Sequence, residues 1–433
     1  MRPSLLLPLL CVGWALLGVA ASAAWLPALA WWATGGVLLS VALLDGWRLR
    51  RYALPEVLRE LPDALPVGVA REVVLVLDNG PRALRVDVHD VHPSDWVASG
   101  LPRTLHLVAE ASTRVSYTLR PTSRGDAHFD GVHLRLHSPW RLWRRACVVG
   151  APQRVRVYPN FAPLAKLAML GSEQASRTVG AHLRRRRGEG TDFHQMRDYR
   201  VGDSLRQIDW KATARVRRLI SREYQDERNQ QVVLLIDTGL RMLARDGELT
   251  HFDHVLDAAL VVSYLALREG DAVGLLASGG ERRWVAPQRG AGALDVLLRA
   301  SYDVQPQPVA TDYLAAATEL SLRQRRRSLV MLVTNLRDED IDDLLVAVRM
   351  LQQRHHVVVA SLREEALDAV LDDDVQNLRA ALRAAATARY LQQRSRTHDA
   401  LRAQRVSVLD VTCAQLPGAL VERYLAIKRE GLL

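Results

Sequence analysis

Cysteine is scarce in this chain. Three occur in 433 residues, Cys11, Cys147 and Cys413, and they lie far apart. That spacing excludes a disulfide framework and a zinc motif built on cysteine pairs, and it fits a reducing compartment. Several catalytic signatures are missing as well. There is no G-x-x-x-x-G-K-[ST] loop to cradle phosphates, no G-x-S-x-G elbow and no H-E-x-x-H pair. Gly188-Glu189-Gly190 is too short for a nucleotide loop, and the nearness of Asp203, Ser204 and His194 in sequence does not make a triad. No basic patch is interleaved with aromatics, so no specific nucleic acid is expected as a partner. The net charge of +10 comes from 58 basic against 48 acidic residues, and such mixed charge reads as a solvated, salt-bridged surface. The sharpest absence is local: no charged residue stands between Pro3 and Leu44.

That uncharged segment holds two apolar stretches, about residues 4–20 and 25–44, each near the roughly 20 residues that a membrane helix needs. Trp25, Trp31, Trp32 and Trp47 suit the membrane interface. Arg2 precedes the pair, and Arg48, Arg50 and Arg51 follow it. The positive-inside rule then predicts a transmembrane hairpin over residues 1–50 with both ends in the cytoplasm. The rival is a cleavable signal peptide ending near Ala21-Ser22-Ala23. Under either, the chain from Arg48 onward is expected in the cytoplasm, at a lipid bilayer.

Between residues 51 and 160, short apolar runs recur with turn residues between them. They are Val73–Leu77, Leu84–Val88, Leu105–Val108, Val115–Leu119, Val132–Leu136 and Arg154–Tyr158. Regular short strands of this kind predict an antiparallel β-sandwich domain. Its histidines, His89, His92, His106, His128, His133 and His137, lack the neighbouring partners that mark a metal site.

Residues 161–230 form a linker, with a short helix expected at Leu164–Leu170, and then a charged block. In the block, Arg184, Arg185, Arg186 and Arg187 stand almost without acids and offer an anion patch. Beyond them Asp192, Asp198, Asp203 and Asp209 interleave with Arg197, Arg200, Arg206 and Arg215. Arginine–carboxylate pairs are directional enough to shape such a segment.

From residue 231 to 433 strands and helices alternate, which predicts an α/β domain with a mostly parallel sheet and helices on both faces. Strands are expected at Val232–Asp237, Ala272–Ala277, Leu329–Thr334, His356–Ser361 and Ser407–Val411. Helices are expected at Phe252–Arg268, Leu294–Tyr302, Asp312–Leu322, Ile341–Gln353, Val375–Arg402 and Leu420–Arg429. The long Ala/Arg-rich helix is either a partner surface or a brace. The first strand is apolar until it closes on Asp237, and the carboxyl end of a parallel strand is where sites form in such sheets.

The charged block carries a resemblance. Gly188, Gly190, Asp192 and Phe193 stand in G-E-G-x-D-F. Arg197, Tyr199, Gly202, Asp203, Arg206, Asp209, Trp210 and Arg215 stand in R-D-Y-R-x-G-D-S-x-R-x-I-D-W-K-A-T-A-R. Together with the strand ending in Asp237 they resemble the bacterial family called domain of unknown function 58. The resemblance implies a von Willebrand A-like α/β domain, a preceding β-domain, and the inner membrane as location. It also implies work with a MoxR-type AAA+ ATPase and other membrane proteins.

Von Willebrand A-type domains often hold a hard cation through D-x-S-x-S, a threonine from a second loop and a late aspartate, all oxygen ligands. Here the first motif reads Asp237-Thr238-Gly239-Leu240-Arg241. Thr311 is the second-loop candidate, and Asn335 replaces the late aspartate. Gly239 has no hydroxyl, and Arg241 brings a cation that repels another. No metal and no cofactor are expected. Arg241 is expected either to pair with Asp237 in the cation's place or to point to solvent. The leading function is a non-enzymatic, membrane-anchored scaffold whose docking face is Asp237, Thr238, Gly239, Arg241, Thr311 and Asn335. The alternatives are a carboxylate-dependent hydrolase or nuclease using Asp192, Asp203 and Asp209, and an anionic-lipid or nucleic-acid binder using Arg184–Arg187.

Overall fold

The apolar N-terminal segment folds into two helices, Leu6–Ser22 and Ala28–Arg50. The structure is a computed structural model that describes residues 1–23, 27–163, 166, 192–200, 205, 208–225, 230–290 and 292–431. It divides into two units, Met1–Tyr158 and Pro159–Leu433. The helix pair belongs to the first. Its two helices meet through small residues opposite large ones. The Trp14 and Trp31 rings stack with centroids 4.8 Å apart and planes within 1°. Each indole Nε1 donates to the other residue's carbonyl oxygen at 3.1 Å. Trp14 lies against Gly35 and Trp31 against Gly18, so the contact is reciprocal. Trp31, one of the tryptophans expected to suit the membrane interface, packs between the helices, and Trp25 lies outside the described residues. Only Ala28–Arg50, 23 residues, is long and apolar enough among the described helices to cross a membrane; Leu6–Ser22, at 17 residues, is shorter.

Twelve strands make the rest of this unit: β1 (Arg2–Pro3), β2 (Glu56–Glu60), β3 (Ala64–Pro66), β4 (Arg71–Asp78), β5 (Leu84–Val91), β6 (Val97–Ser99), β7 (Arg103–Leu107), β8 (Ser112–Arg120), β9 (Gly125–Phe129), β10 (Gly131–His137), β11 (Trp143–Val149) and β12 (Gln153–Tyr158). They form an antiparallel sheet ordered β1-β11-β10-β5-β7, another ordered β2-β4-β8-β6, and a small sheet β3-β12-β9. Period-two patterning explains the core: Val73, Leu75 and Leu77 on β4 and Val86 and Val88 on β5 are buried, and alternate residues face out. One charge goes inside. Asp90 is buried, with Arg59 at 2.9 Å and 2.5 Å and the Tyr117 hydroxyl at 2.5 Å. A buried carboxylate needs that degree of pairing. It pushes the Tyr117 phenol well above its usual range, first through burial and then through the Asp90 charge.

The foot of helix Ala28–Arg50 is fastened to the β10–β11 turn. Asp45 accepts the Trp140 and Leu142 amides at 3.1 and 3.2 Å, and the Trp143 indole donates to the Ala42 carbonyl at 2.8 Å.

In the second unit, the strands are β13 (Asp192–Asp198), β14 (Ile220–Gln225), β15 (Gln231–Asp237), β16 (Arg245–Asp246), β17 (Leu249–Thr250), β18 (Ala272–Ser278), β19 (Arg283–Gln288), β20 (Leu329–Thr334), β21 (His356–Arg363) and β22 (Ser407–Thr412). The main sheet is ordered β19-β18-β15-β20-β21-β22, and only the edge strand β19 runs antiparallel. Strand β15 is buried on both faces. Val232, Leu234 and Ile236 pack with helices His251–Arg268 and Leu416–Glu430; Val233 and Leu235 pack with helices Tyr313–Arg323 and Ile341–Gln352. Continuous apolar strands are what such double coverage requires.

The long helix expected at Val375–Arg402 is the single helix Leu378–Ala403, and a short helix, Glu365–Asp372, that the sequence reading did not include precedes it. The expected helix at Leu164–Leu170 falls largely outside the described residues. The described part of the charged block is a β13–β14 hairpin with helix Trp210–Val216 inserted before β14.

Candidate functional site

The carboxyl ends of the two central strands, β15 and β20, converge on one carboxylate. Asp237 is buried. Its Oδ1 accepts the Gly239 amide at 2.7 Å and the Thr311 hydroxyl at 2.5 Å, and its Oδ2 accepts the Thr334 hydroxyl at 2.7 Å. Tyr313 Oη lies 2.8 Å from Thr334 Oγ1. Burial, and then the Asp237 charge, push the Tyr313 phenol up well beyond its ordinary range, so it stays neutral. Thr238 ties the neighbouring loop: its Oγ1 donates to the Glu281 carbonyl at 3.2 Å and accepts the Gly280 amide at 2.9 Å. Thr238, Gly239 and Thr311 thus meet around Asp237.

Gly239 is sterically obligatory. A β-carbon there would lie 2.8 Å from the Val309 carbonyl oxygen and still closer to the Thr311 hydroxyl. The position at which D-x-S-x-S would place its first serine is therefore filled by Thr311. With both Asp237 oxygens already taken by protein donors, these residues do not fit an octahedral cation cage.

Arg241 does not pair with Asp237. It pairs with Asp340, and with Glu339 at 3.2 Å, and its Nη1 donates to the Asn335 carbonyl at 3.4 Å. The reason is competition: three neutral donors already occupy Asp237, and the loop after β20 offers two carboxylates. Asn335 is buried, and its Nδ2 donates to Glu364 Oε1 at 2.9 Å. The late-aspartate position thus holds a side chain that bridges to the next loop. The rim of the site is Arg241, Glu339, Asp340 and Glu364, of which the Glu339 side chain is 75% exposed.

The sequence did not single out Arg394. It sits on helix Leu378–Ala403, and only 2% of its side chain is exposed. Its guanidinium donates to the Leu336 carbonyl at 3.0 Å, the Leu362 carbonyl and Ser361 hydroxyl at 2.6 Å, and Asp410 at 3.0 Å. One side chain thereby joins the carboxyl ends of β20, β21 and β22. The long helix acts as a brace beside the site. His398, one turn later, faces Asp410 at 3.7 Å; burial and the Arg394 charge push its imidazole down to about 4.

The signature block lies apart from Asp237 in sequence and is only partly described. Arg184, Arg185, Arg186, Arg187, Gly188, Gly190, Gly202, Asp203 and Arg206 lie outside the described residues. Asp192 and Phe193 fall on β13, paired with Gln225 and Tyr224. Asp209 caps helix Trp210–Val216 by accepting the Ala212 amide at 3.0 Å, so this carboxylate has a structural task. Arg197 Nη1 donates to the Asp198 carbonyl at 3.1 Å, and the Tyr199 amide donates to the Leu219 carbonyl at 2.8 Å. Arg215 stands in the last turn of the helix. Met196, Trp210, Val216 and Leu219 are exposed, Trp210 by 66%. Among the described residues no group of three or more His, Cys, Asp or Glu side chains is placed to hold a metal ion, the histidines of β5, β7 and β10 included.

Residues 195–407, from β13 to the first residue of β22, match the family model described as "Protein of unknown function DUF58". The chain belongs to the DUF58 family. Curated relatives include the uncharacterized protein YeaD of Bacillus subtilis, 23% identical over 188 residues, which covers 43% of this chain and 45% of YeaD. The uncharacterized protein Rv1480 of Mycobacterium tuberculosis is 26% identical over 159 residues, covering 36% of this chain and 50% of Rv1480. The chain thus spans about half the length of the curated relatives it matches. A solved structure of native alpha-2-macroglobulin from Escherichia coli is 12% identical and covers 25% of this chain and 17% of its own, with a TM-score of 0.21, too low to carry any argument. The DUF58 match includes the Asp237 knot, Arg241 and Arg394.

Proposed function

We propose that this DUF58 chain is a membrane-anchored, non-enzymatic interaction protein. In this reading the second unit is a von Willebrand A-like recognition domain, and the antiparallel sheets of the first are a β-sandwich spacer. Helix Ala28–Arg50 spans the inner membrane, paired with Leu6–Ser22 as a hairpin, and Arg48, Arg50 and Arg51 hold its carboxyl end on the cytoplasmic side. The partner is a MoxR-type AAA+ ATPase, and the process is envelope maintenance or assembly of another protein complex.

The observation that carries this reading is the fit of Thr311 against Gly239. It leaves Asp237 satisfied by protein donors alone, so the carboxyl ends of β15 and β20 offer a fixed polar rim in place of a metal. Arg241, held by Glu339 and Asp340, is the rim's cation. A partner carboxylate competes with those two acids for it. The exposed apolar residues Met196, Trp210, Val216 and Leu219 on the signature segment supply a second contact of the kind that protein interfaces use.

Purification of the full chain from native membranes followed by mass spectrometry tests this. The expected result is an AAA+ ATPase recovered with the parent and lost with Arg241→Glu, with thermal stability retained. Recovery of the ATPase at equal yield with Arg241→Glu and with Trp210→Ala excludes this docking face. Turnover of any substrate that disappears with one carboxylate excludes the non-enzymatic reading.

A further inference from the structure

Five strands of the first unit carry basic side chains in one unbroken row. The register fixes it: Arg2 lies opposite Arg144, Arg144 opposite His137, His137 opposite Arg85, and Arg85 opposite His106. Residues opposite one another on a ladder point to the same face. The flanking positions Leu84, Val86 and Leu136 are buried, so the row occupies the outer face of sheet β1-β11-β10-β5-β7.

Like charges directly opposite one another, as Arg2 and Arg144 are, destabilise a sheet, and the arginines of the row have little to offset them. Arg2, Arg85 and Arg144 form no ion pair among the described residues, and the Nε atoms of Arg85 and Arg144 are buried without a hydrogen-bond partner. The carboxylate nearest in register is Asp87, one row further along β5. It is engaged by His137 at 2.9 Å and by the Thr104 hydroxyl at 2.8 Å.

The row's place is as telling as its charge. It crosses the end of the sheet at which both helices attach. Arg2 stands four residues before helix Leu6–Ser22, and Arg144 follows Trp143, whose indole holds the Ala42 carbonyl of the second helix. Around that junction Trp47 and Trp140 are about half exposed, with Arg51 over the Trp47 ring at 3.9 Å and Arg48 over Trp140 at 5.1 Å. Tryptophan and arginine together at a helix end mark the level of lipid headgroups.

We propose that the Arg2–Arg144–His137–Arg85–His106 row binds the phosphate groups of anionic phospholipids at the bilayer surface from which the helices emerge. This rests on the membrane-anchored reading above. Guanidinium groups bind phosphate through paired, charge-assisted hydrogen bonds, and arginines next to a membrane helix gain from an anionic leaflet. Across four strand spacings the row is roughly 19 Å wide, so it meets several headgroups and holds the β-unit against the membrane.

The test uses the full chain in nanodiscs of phosphatidylcholine alone or with phosphatidylglycerol. Melting temperature is read in the discs, and retained phosphatidylglycerol is read by mass spectrometry after transfer to detergent. The expected result is a higher melting temperature with the anionic lipid and selective retention of it. Both are lost in Arg85→Gln/Arg144→Gln, with retention falling about fivefold per arginine removed. Arg2→Gln, at an exposed terminal position, gives a partial loss without touching the sheet interior. A charge-matched control on β8 and β12, Arg114→Gln/Arg156→Gln, keeps both signals. The proposal is overturned by equal behaviour of the parent in the two discs or by an undiminished preference in the double variant. It is also overturned if inorganic phosphate added to phosphatidylcholine discs gives the full stabilisation, because the site then binds a free anion. Failure of the parent to assemble with lipid at all sinks the membrane-anchored reading as well, and so separates the two.

Discussion

Thr311 occupies the space that any side chain on Gly239 would need, and its hydroxyl is bonded to the Asp237 carboxylate at 2.5 Å. Restoring the serine of a cation-binding motif at this position therefore damages the fold instead of creating a site. Gly239→Ser is expected to cost about 1–3 kcal/mol, the usual range for overpacking. Isothermal calorimetry is expected to show no magnesium binding. Gly239→Ser/Thr311→Ala removes the clash and recovers part of the loss, so a double-mutant cycle gives a coupling larger than the roughly 0.5 kcal/mol seen between independent sites. Additive losses, or micromolar magnesium binding abolished by Asp237→Ala, count against this account of the knot.

Arg394 joins three strand ends, so its removal leaves the Leu336 and Leu362 carbonyls and Asp410 short of a donor. Arg394→Met is expected to cost about 3 kcal/mol, the low end for breaking a buried charged network, since the Asp410 side chain is 28% exposed. Arg394→Lys cannot reproduce the planar fork and recovers little of it. Chemical denaturation of the parent and the two variants checks both statements.

Stability is expected to fall as the pH drops below the ordinary histidine range. In the fold, His398 is held neutral down to about 4, first by burial and then by Arg394, whereas an unfolded histidine takes its proton near 6.5. Between those values the unfolded chain binds more protons, so unfolding becomes easier as pH falls. The stabilisation is present in full above about 6.5 and is lost progressively toward about 4. Burial shifts His251, His355 and His356 in the same direction. Melting curves from pH 8 to pH 5 should show the decline, and His398→Gln should flatten it. A parent whose melting temperature is unchanged across that interval contradicts the assignment.

Much of the main sheet is legible in the chain itself. Strands β15, β18, β20 and β21 are continuous apolar runs, and nothing else of that length occurs between the helical stretches. Strand β19, with Arg283, Pro287 and Gln288, escaped notice because an edge strand needs no buried pattern and tolerates proline. The β13–β14 hairpin escaped for a related reason: its strand residues are mostly charged or polar and show no apolar alternation. At the site, Asp237 and Thr311 were visible as positions of a motif, and Gly239, Arg241 and Asn335 as departures from it. The partners of Arg241 were not. They depend on how the loop after β20 folds back, and Glu339 and Asp340 look like any other acidic helix start. Arg394 is one arginine among many on its helix, and nothing local in sequence separates the buried one from the exposed ones.

The reciprocal packing of Trp14 on Gly35 and Trp31 on Gly18 gives a prediction for the helix pair. A β-carbon at residue 35 would lie 2.8 Å from the Trp14 indole, so Gly35→Ile is expected to expel that ring. The stacked indoles should then lose their coupled near-ultraviolet circular dichroism, while Gly36→Ile, which meets nothing within 4 Å, leaves it in place. Identical spectra for the two variants rule out the interlock.

Asp45 holds two amides of the β10–β11 turn, and the Ala42 carbonyl holds the Trp143 ring. Rotation of helix Ala28–Arg50 about its own axis, or sliding along it, breaks all three bonds at once. The cheaper motion is a tilt that carries the turn with it. The junction behaves as a welded elbow rather than a swivel, so any force that leans the helix is felt as torque on β10 and β11.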